Sequence, residues 1–425
     1  MDDQNIIEKS LKIVKKYPLC DHCLGSLFAR LGKGLGNEKR GAALRRTIIM
    51  EMDRRVREGI EDESSLVTVL GNLSSEETKE IAIAMNLNIH ELKRCYVCGN
   101  NWNELVKTWS KKILDYLDGM EFESFVVGCT NCGEMEERHR DLIAEFKLPY
   151  AENIKNSFKR EIGKILKEEL RKEPDFVDPD ITIIIDLKNN ELKLQIKPIY
   201  VYGIYKKLSR RCSQSIWKYE CSVEGYLQEA LNVFQAKEVV LHAAGREDVD
   251  VRTLGSGRPF IAKVVKPKRR YVDVTKIKYS NDDVYFEFIR YSNKDEVPRL
   301  KGEDSLKEKT YFAVVQCTET VTEDELKALE DFFQNTIVSQ QTPTRVLHRR
   351  KDMVRTKKVY WVKAAKVDNT TFISLIKGEG GLYIKELISG DNGRTEPSFS
   401  SFLSKECKCV SLDVVWIEKP TLENT

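Results

Sequence analysis

No run in this chain stays apolar for the roughly 20 residues that a membrane helix needs; the longest approach lies near Ile181 to Leu187. The opening Met1-Asp-Asp-Gln-Asn-Ile-Ile-Glu-Lys-Ser10 carries acidic residues and lacks the apolar core of a signal peptide. These absences argue against export or membrane residence, and a cytoplasmic monomer with no membrane partner is expected. An excess of either charge is also missing: 70 Lys and Arg stand against 67 Asp and Glu, a formal net charge of +3 that neither demands nor excludes nucleic acid. There are no internal repeats and no low-complexity segments, which excludes a solenoid or a fibrous array. No Gly-x-x-x-x-Gly-Lys-Ser/Thr phosphate loop occurs, so activation of a substrate by a bound nucleotide has no motif behind it. What is present is a globular composition, 41% hydrophobic and 32% charged. Its 425 residues exceed one ordinary core, so two or three domains are expected.

Residues 2–57 read as helical, broken at Pro18 and at Gly32, Gly34 and Gly36. Ser74-Ser-Glu-Glu77 reads as a capping box opening a further helix, and Leu105, Trp109, Ile113 and Leu117 form one stripe of an amphipathic helix over Asn103 to Leu117. Phe125-Val-Val127 reads as a strand and Asn156 to Leu170 as a helix. Ile181 to Leu187 and Leu192 to Ile199 make a strand pair turning at Lys188-Asn-Asn-Glu191. After Tyr200 the α/β alternation gives way to short strands with long basic connections and two helices, Val223 to Gln235 and Thr322 to Gln334. That texture suits an antiparallel sheet with helices packed against it, and the whole chain reads as α+β.

The segment richest in chemistry is Gly245-Arg-Glu-Asp-Val-Asp-Val-Arg252, between Glu238 to Ala244, which reads as a buried strand, and a second glycine-rich turn, Gly255-Ser-Gly-Arg-Pro259. A carboxylate on a loop at the end of a strand, flanked by arginines, is a reactive acid beside a place for phosphate. The run Gly381-Leu-Tyr-Ile-Lys-Glu-Leu-Ile-Ser-Gly390, followed by Asp391-Asn-Gly-Arg-Thr395, is its companion. Two basic runs lie in the same half: Lys263, Lys266, Lys268, Arg269 and Arg270, and then Arg345, His348, Arg349, Arg350, Lys351, Arg355, Lys357 and Lys358. Interleaved with Tyr271, Tyr360 and Trp361, they read as a polyphosphate track.

Cysteine supplies the second signal. Cys20-Asp-His-Cys23, Cys95-Tyr-Val-Cys98 and Cys129-Thr-Asn-Cys132 each space two thiolates for one tetrahedral zinc, and two such knuckles complete a four-sulfur site. Three knuckles leave one over. The shorter enclosed loop favours joining Cys95/Cys98 with Cys129/Cys132, though only mildly, since doubling a loop costs about 0.6 kcal/mol. A redox dithiol is the rival use of a spare pair. Cys212, Cys221, Cys317, Cys407 and Cys409 show no ligand spacing, and in a cytoplasmic chain reduced structural thiols are expected rather than disulfides. His22 lies inside a knuckle, and His242 reads as a core histidine.

The Gly-Arg-Xaa-Asp loop and the Tyr-Ile-Lys segment together resemble the pseudouridine synthases. From Cys20 to about Leu412 the chain is similar to the archaeal-type tRNA pseudouridine synthases of the Pus-ten family. Gly203 to Trp217, Gly245 to Phe260, Gln341 to Arg350 and Gly381 to Pro397 carry that likeness in order. The resemblance implies a zinc-containing, THUMP-like RNA-binding accessory domain over 1–200 and a pseudouridine synthase domain over 201–425. It sets the structural zinc on Cys20, Cys23, Cys95 and Cys98. The substrate it implies is tRNA, at T-loop position 55, with position 54 as a further candidate.

Asp248 aligns with the family's catalytic aspartate, with Asp250 two residues on as the fallback on the same face of an extended segment. Lys385 is the basic partner, expected to pair with Asp248 and hold it ionised. Tyr311 resembles the tyrosine that stacks on the target base, and Ile384 and Leu412 are expected as apolar walls. Arg246, Arg252, Arg349 and Arg350 are expected to bind substrate. Tyr202 to Trp217 resembles an RNA-gripping thumb loop, departing from it at Ile204 and at Cys212-Ser213. Isomerisation needs no redox or nucleotide cofactor. The alternatives are a non-catalytic zinc-containing tRNA-binding protein and a THUMP-type tRNA thiolation enzyme.

Overall fold

The computed structural model describes residues 5–73, 75–89, 91–216, 219, 221–303, 307–348 and 350–419. It divides into two units, 1–196 and 197–425. Among the described residues no helix is long and apolar enough to cross a membrane.

The first unit runs α1 (Ile6–Lys16), α2 (Asp21–Ser26), α3 (Asn37–Arg57), α4 (Glu63–Asn72), α5 (Glu76–Ala84), α6 (Trp102–Leu117), β1 (Ser124–Asn131), α7 (Glu134–Glu145), α8 (Ile154–Leu170), β2 (Glu173–Pro174), β3 (Ile181–Asp186) and β4 (Glu191–Ile196). Its sheet has the order β2-β1-β3-β4, with β1 parallel to both neighbours and β3–β4 an antiparallel hairpin. Alternation along β3 buries Ile181, Ile183 and Ile185, while on α8 Phe158, Ile162 and Leu166 recur at helical spacing and join the same core. The helix beginning near residue 76 is present. Ser75 is its N-cap without a side-chain bond, Ser74 lies outside the described residues, and Glu77 instead accepts from Arg45 and Arg46. Helices α2 and α3 approach so closely that a Cβ on Gly25 would lie 1.9 Å from the Asn37 carbonyl oxygen, and one on Gly41 1.7 Å from that of Asp21.

The second unit runs β5 (Ile199–Lys207), α9 (Val223–Ala230), β6 (Glu238–Ala243), β7 (Val251–Val265), β8 (Lys278–Ser280), β9 (Val284–Ser292), α10 (Glu296–Glu303), β10 (Glu308–Cys317), α11 (Glu323–Phe332), β11 (Thr336–Gln341), β12 (Val354–Lys366), β13 (Thr371–Glu379), α12 (Ile384–Ser389), β14 (Thr395–Glu396), α13 (Phe399–Leu403) and β15 (Cys407–Ile417). One sheet holds the strands in the order β14-β11-β12-β13-β10-β15-β7-β5-β9-β8, with β6 also on β7. Every pairing is antiparallel except β15 with β7. That parallel seam joins two cores. One is built on β10, β12, β13 and β15 with α11 to α13, the other on β5, β7 and β9 with α9.

Three sequence expectations change here. Glu238 to Ala243 is not a buried strand: β6 pairs with β7 alone and is mostly half-buried. Gly255-Ser-Gly-Arg-Pro259 is not a turn but a bend inside β7. At Gly255, with φ of +50°, a Cβ would strike the Val415 carbonyl oxygen at 1.8 Å, and at Gly257 φ is +70°. The bend is a bulge between Thr253, which pairs with both Val414 of β15 and Lys207 of β5, and Arg258, where pairing with β5 resumes after β15 has been left. Finally, Cys212–Cys221 and Cys317–Cys407 are disulfides, while Cys409 is free. Cys317 and Cys407 face each other in the β10–β15 register, a proximity that a separation of 90 residues conceals.

Candidate active site and cysteine cluster

The parallel seam places residues 245–250 at the edge of a cleft of about 640 Å³. Alternation along β7 and β15 turns Val251 and Leu412 to the cleft and Arg252 and Asp413 to the other face. Arg252, expected on substrate, therefore donates to Asp413 from Nε at 2.9 Å and from Nη2 at 2.6 Å. Tyr311, Ile384 and Leu412 are all buried and line the cleft, and Arg246 and Arg350 line it too. Arg350 Nη1 donates to the Tyr383 hydroxyl at 3.0 Å; Arg349 lies outside the described residues. Arg355 and Lys357 of the second basic run also reach the cleft, whereas Lys263 to Arg270 do not line it.

Asp248 lines the cleft and Asp250 does not. The segment between them is a turn closed by Val251 N donating to the Asp248 carbonyl at 3.1 Å, not the extended run expected from alternation. The cation pairing also differs from expectation. Lys385 Nζ donates to Asp250 at 2.7 and 2.9 Å and stands 3.6 Å from Asp248 Oδ2. Burial pushes the Asp250 carboxyl up, but the Lys385 hydrogen bond and charge prevail and hold it below its ordinary value. The nearest cation to Asp248 is Arg345, whose Nη1 donates to Oδ2 at 2.6 Å while its Nε donates to buried Glu386 at 2.6 Å. The ends of α12 set this geometry. Gln340, buried on β11, clasps Tyr383 at the helix start, accepting from its N–H at 2.8 Å and donating to its carbonyl at 2.9 Å.

Beneath the loop lies a polar layer that the sequence reading missed. Lys207 is fully buried and donates to the carbonyls of Cys212 (2.9 Å), Asp248 (3.1 Å) and Val249 (2.6 Å). Burial lowers its pKa to about 8, against the upward pull of Glu247, Asp250 and Asp248. Glu247 is buried too: it accepts from the Tyr205 hydroxyl at 3.0 and 3.1 Å and lies 2.9 Å from Arg258 Nε. Gln214 donates to Tyr205 and to the Gly245 carbonyl. Much of the thumb-like segment is thus support rather than grip. Ile204, Tyr205, Lys207, Cys212, Ser213 and Gln214 are buried, Arg210 donates to Asp413, and Trp217 lies outside the described residues. Two lysines precede Leu208 in the sequence, and only the strand alternation of β5 distinguishes buried Lys207 from Lys206.

In the first unit the sulfurs of Cys20, Cys23, Cys95 and Cys98 lie within 4.8 Å of one another, with Cys20 and Cys98 3.6 Å apart. A tetrahedral zinc with bonds of ~2.3 Å requires sulfurs about 3.8 Å apart, so the donor set fits. Tyr96 N donates to the Pro18 carbonyl at 2.7 Å and draws the second knuckle onto the first. The Cys95/Cys98 with Cys129/Cys132 combination is not formed; Cys129 and Cys132 stand apart as a pair with sulfurs 2.8 Å apart. His22 is no ligand: it stacks on Trp102 at 3.7 Å and shares a hydrogen bond with Ser157. His242 is half-buried on β6, beside Lys301 Nζ at 3.3 Å, rather than in a core.

Comparison with known proteins assigns the class. A family model described as Pus10, C-terminal matches residues 200–418, and one described as Pus10 THUMP domain, archaeal, matches residues 109–186. The molecule is a pseudouridine synthase with a THUMP domain, an isomerase of RNA. It is 38% identical to the tRNA pseudouridine synthase Pus10 of Ignisphaera aggregans, over 98% of this chain and 99% of that one, and 35% identical to that of Thermosphaera aggregans, over 98% of each. A solved Cbf5-Nop10-Gar1 complex aligns over 51% of this chain and 48% of that chain at 16% identity, with a TM-score of 0.31. The chain belongs to the Pus10 family of tRNA pseudouridine synthases. The non-catalytic and thiolation alternatives give way to that membership.

Proposed function

We propose that the cleft isomerises a T-loop uridine of tRNA, at position 55, with Asp248 as the reacting carboxylate. The observation that carries this reading is that Asp248 lines the cleft together with Tyr311, Ile384 and Leu412, whereas Glu247, which also lines it, is buried against Tyr205 and Arg258, and Asp250 does not line it. The uridine leaves the folded RNA, because a stacked base hides its glycosidic bond. Tyr311 receives the base, Ile384 and Leu412 exclude water, and Arg246 and Arg350 meet phosphates. The N1–C1′ bond breaks, the base turns in place, a C5–C1′ bond forms, C5 releases its proton, and N1 gains one. Asp248 serves by attack on C1′ or by removal of a sugar proton. Lys385 supplies positive charge beside it.

Residues 1–200 act as the accessory part and 201–425 as the catalytic part. The four sulfurs of Cys20, Cys23, Cys95 and Cys98 hold a zinc whose role is to tie α2 to the Cys95 knuckle. The test is to map pseudouridine in unmodified tRNA transcripts after incubation with the protein and with Asp248→Asn. Pseudouridine at position 55 with wild type alone supports the reading. Turnover by Asp248→Asn would reject Asp248, and modification elsewhere in the tRNA would reject the T loop.

A further inference from the structure

Arg345 reads in the sequence as one cation of a basic run, yet the fold commits it to two carboxylates. It lies in the 3-10 turn Thr344–Val346, which Asp391 secures by accepting from Thr344 N at 2.9 Å and Thr344 Oγ1 at 3.2 Å. Nε donates to Glu386 Oε1 at 2.6 Å, and Nη1 donates to Asp248 Oδ2 at 2.6 Å. A guanidinium is a rigid plane, so its two contacts are not independent: where Glu386 holds Nε, the direction of Nη1 is set, and with it the rotamer of Asp248. Glu386 is suited to hold it, being buried on α12 directly after Lys385. Lys385 cannot serve in this way. Its ammonium is a point charge spent on both oxygens of Asp250, and it reaches Asp248 only at 3.6 Å.

We infer that Arg345, anchored on Glu386, is the positioning residue for Asp248, holding Oδ2 so that Oδ1 faces the reacting sugar. The inference rests on reading Asp248 as the reacting carboxylate. It departs from the sequence expectation, in which the cation that serves Asp248 is Lys385 and Arg345 belongs to the phosphate track.

The test uses the full chain and an unmodified tRNA transcript tritiated at uridine C5, read as single-turnover tritium release at saturating protein. Arg345→Lys keeps the charge but cannot span Glu386 and Asp248 together, and Glu386→Gln keeps the volume but weakens the anchor. Each is expected to slow turnover roughly 10- to 100-fold, the effect of a misplaced reacting group. The tRNA affinity and its salt dependence should stay within about two-fold of wild type. The double variant should be no slower than the worse single variant, because both break one link. Wild-type rates in both single variants would overturn the inference, as would weakened binding with a flattened salt slope and an unchanged rate, which marks a phosphate contact. If Glu386→Gln fails to fold, Arg345→Lys decides alone. Turnover by Asp248→Asn would remove the underlying reading. An inactive Asp248→Asn beside fully active Arg345 and Glu386 variants would remove the positioning role only.

Discussion

The cysteine cluster of the first unit and the charge cluster of the second were both foreseen from short motifs, yet they fared differently. The four sulfurs converge because each Cys-x-x-Cys pair is brought together locally, Cys20 and Cys23 by the first turn of α2 and Cys95 and Cys98 by a tight turn, and one hydrogen bond, Tyr96 N to the Pro18 carbonyl, joins the two. In the second unit Asp248, Lys385, Tyr311, Ile384, Leu412, Arg246 and Arg350 line the cleft, but the partners are exchanged: Lys385 goes to Asp250, Arg345 to Asp248 and Arg252 to Asp413. Each thiol pair is a property of local spacing, but which two pairs join is not: spacing mildly favours Cys95/Cys98 with Cys129/Cys132, and the resemblance gives the set that converges. An ion pair is a property of which distant segments lie together: the β7–β15 seam settles Arg252 with Asp413, while the 3-10 turn at Arg345 and the start of α12 settle the partners of Asp248 and Asp250.

The sharpest break in this comparison is chemical. Asp248→Asn should lower pseudouridine formation by three orders of magnitude or more, on the order of 4 kcal/mol of barrier, with tRNA affinity nearly unchanged. Asp250→Asn should retain turnover, and the reverse result would mean that Lys385 marks the reacting acid after all. On the folding side, Cys95→Ser should lose a stoichiometric zinc and unfold much of the first unit, since binding energy of structural zinc is folding energy, roughly 10 kcal/mol in small domains. Cys129→Ser should keep the metal. Metal analysis and hydrogen exchange would read both outcomes.

Lys207→Met tests whether the polar layer beneath the loop matters as much as the charges above it. Three carbonyls lose their donor, so destabilisation of about 3 kcal/mol and slower turnover are expected. The pH dependence gives a finer check. Burial lowers the Lys207 pKa to about 8, so between about pH 8 and its ordinary value near 10.4 the unfolded chain holds the extra proton, and this group makes stability rise with pH. Lys207→Met should lack that rise when denaturant midpoints are compared at pH 8, 9 and 10. The smallest effect belongs to the rim. Alanine at both Arg350 and Arg355 should weaken tRNA binding a few-fold and reduce the log–log salt slope by up to ~2, without changing single-turnover rate. An unchanged slope would return this run to plain solvated surface.

Much of the molecule was legible in its residues. The helices over residues 2–57, after Ser75, over 103–117 and over 156–170, the β3–β4 hairpin and the helix opening at Thr322 follow from periodicity and breaker residues, and motif resemblance pointed to Asp248, Tyr311, Ile384 and Leu412, which line the cleft. The glycines at 255 and 257 were visible as a break, but a turn and a strand bend share the same residue requirement, a positive φ, and only pairing on both sides distinguishes them.

By itself the sequence determined the presence of two kinds of domain, the family, the thiol ligand pairs and the acid on the loop, because each rests on residues close together along the chain. Tertiary structure alone decided that Arg345 reaches Asp248 across 97 positions, that Lys207 is buried beneath the loop, and that Cys317 meets Cys407. Strand register decides the burial of Lys207 and the meeting of Cys317 with Cys407, since shifting by one residue sends every side chain to the opposite face, while Arg345 and Asp248 meet through the packing of a 3-10 turn against a loop far away in the chain.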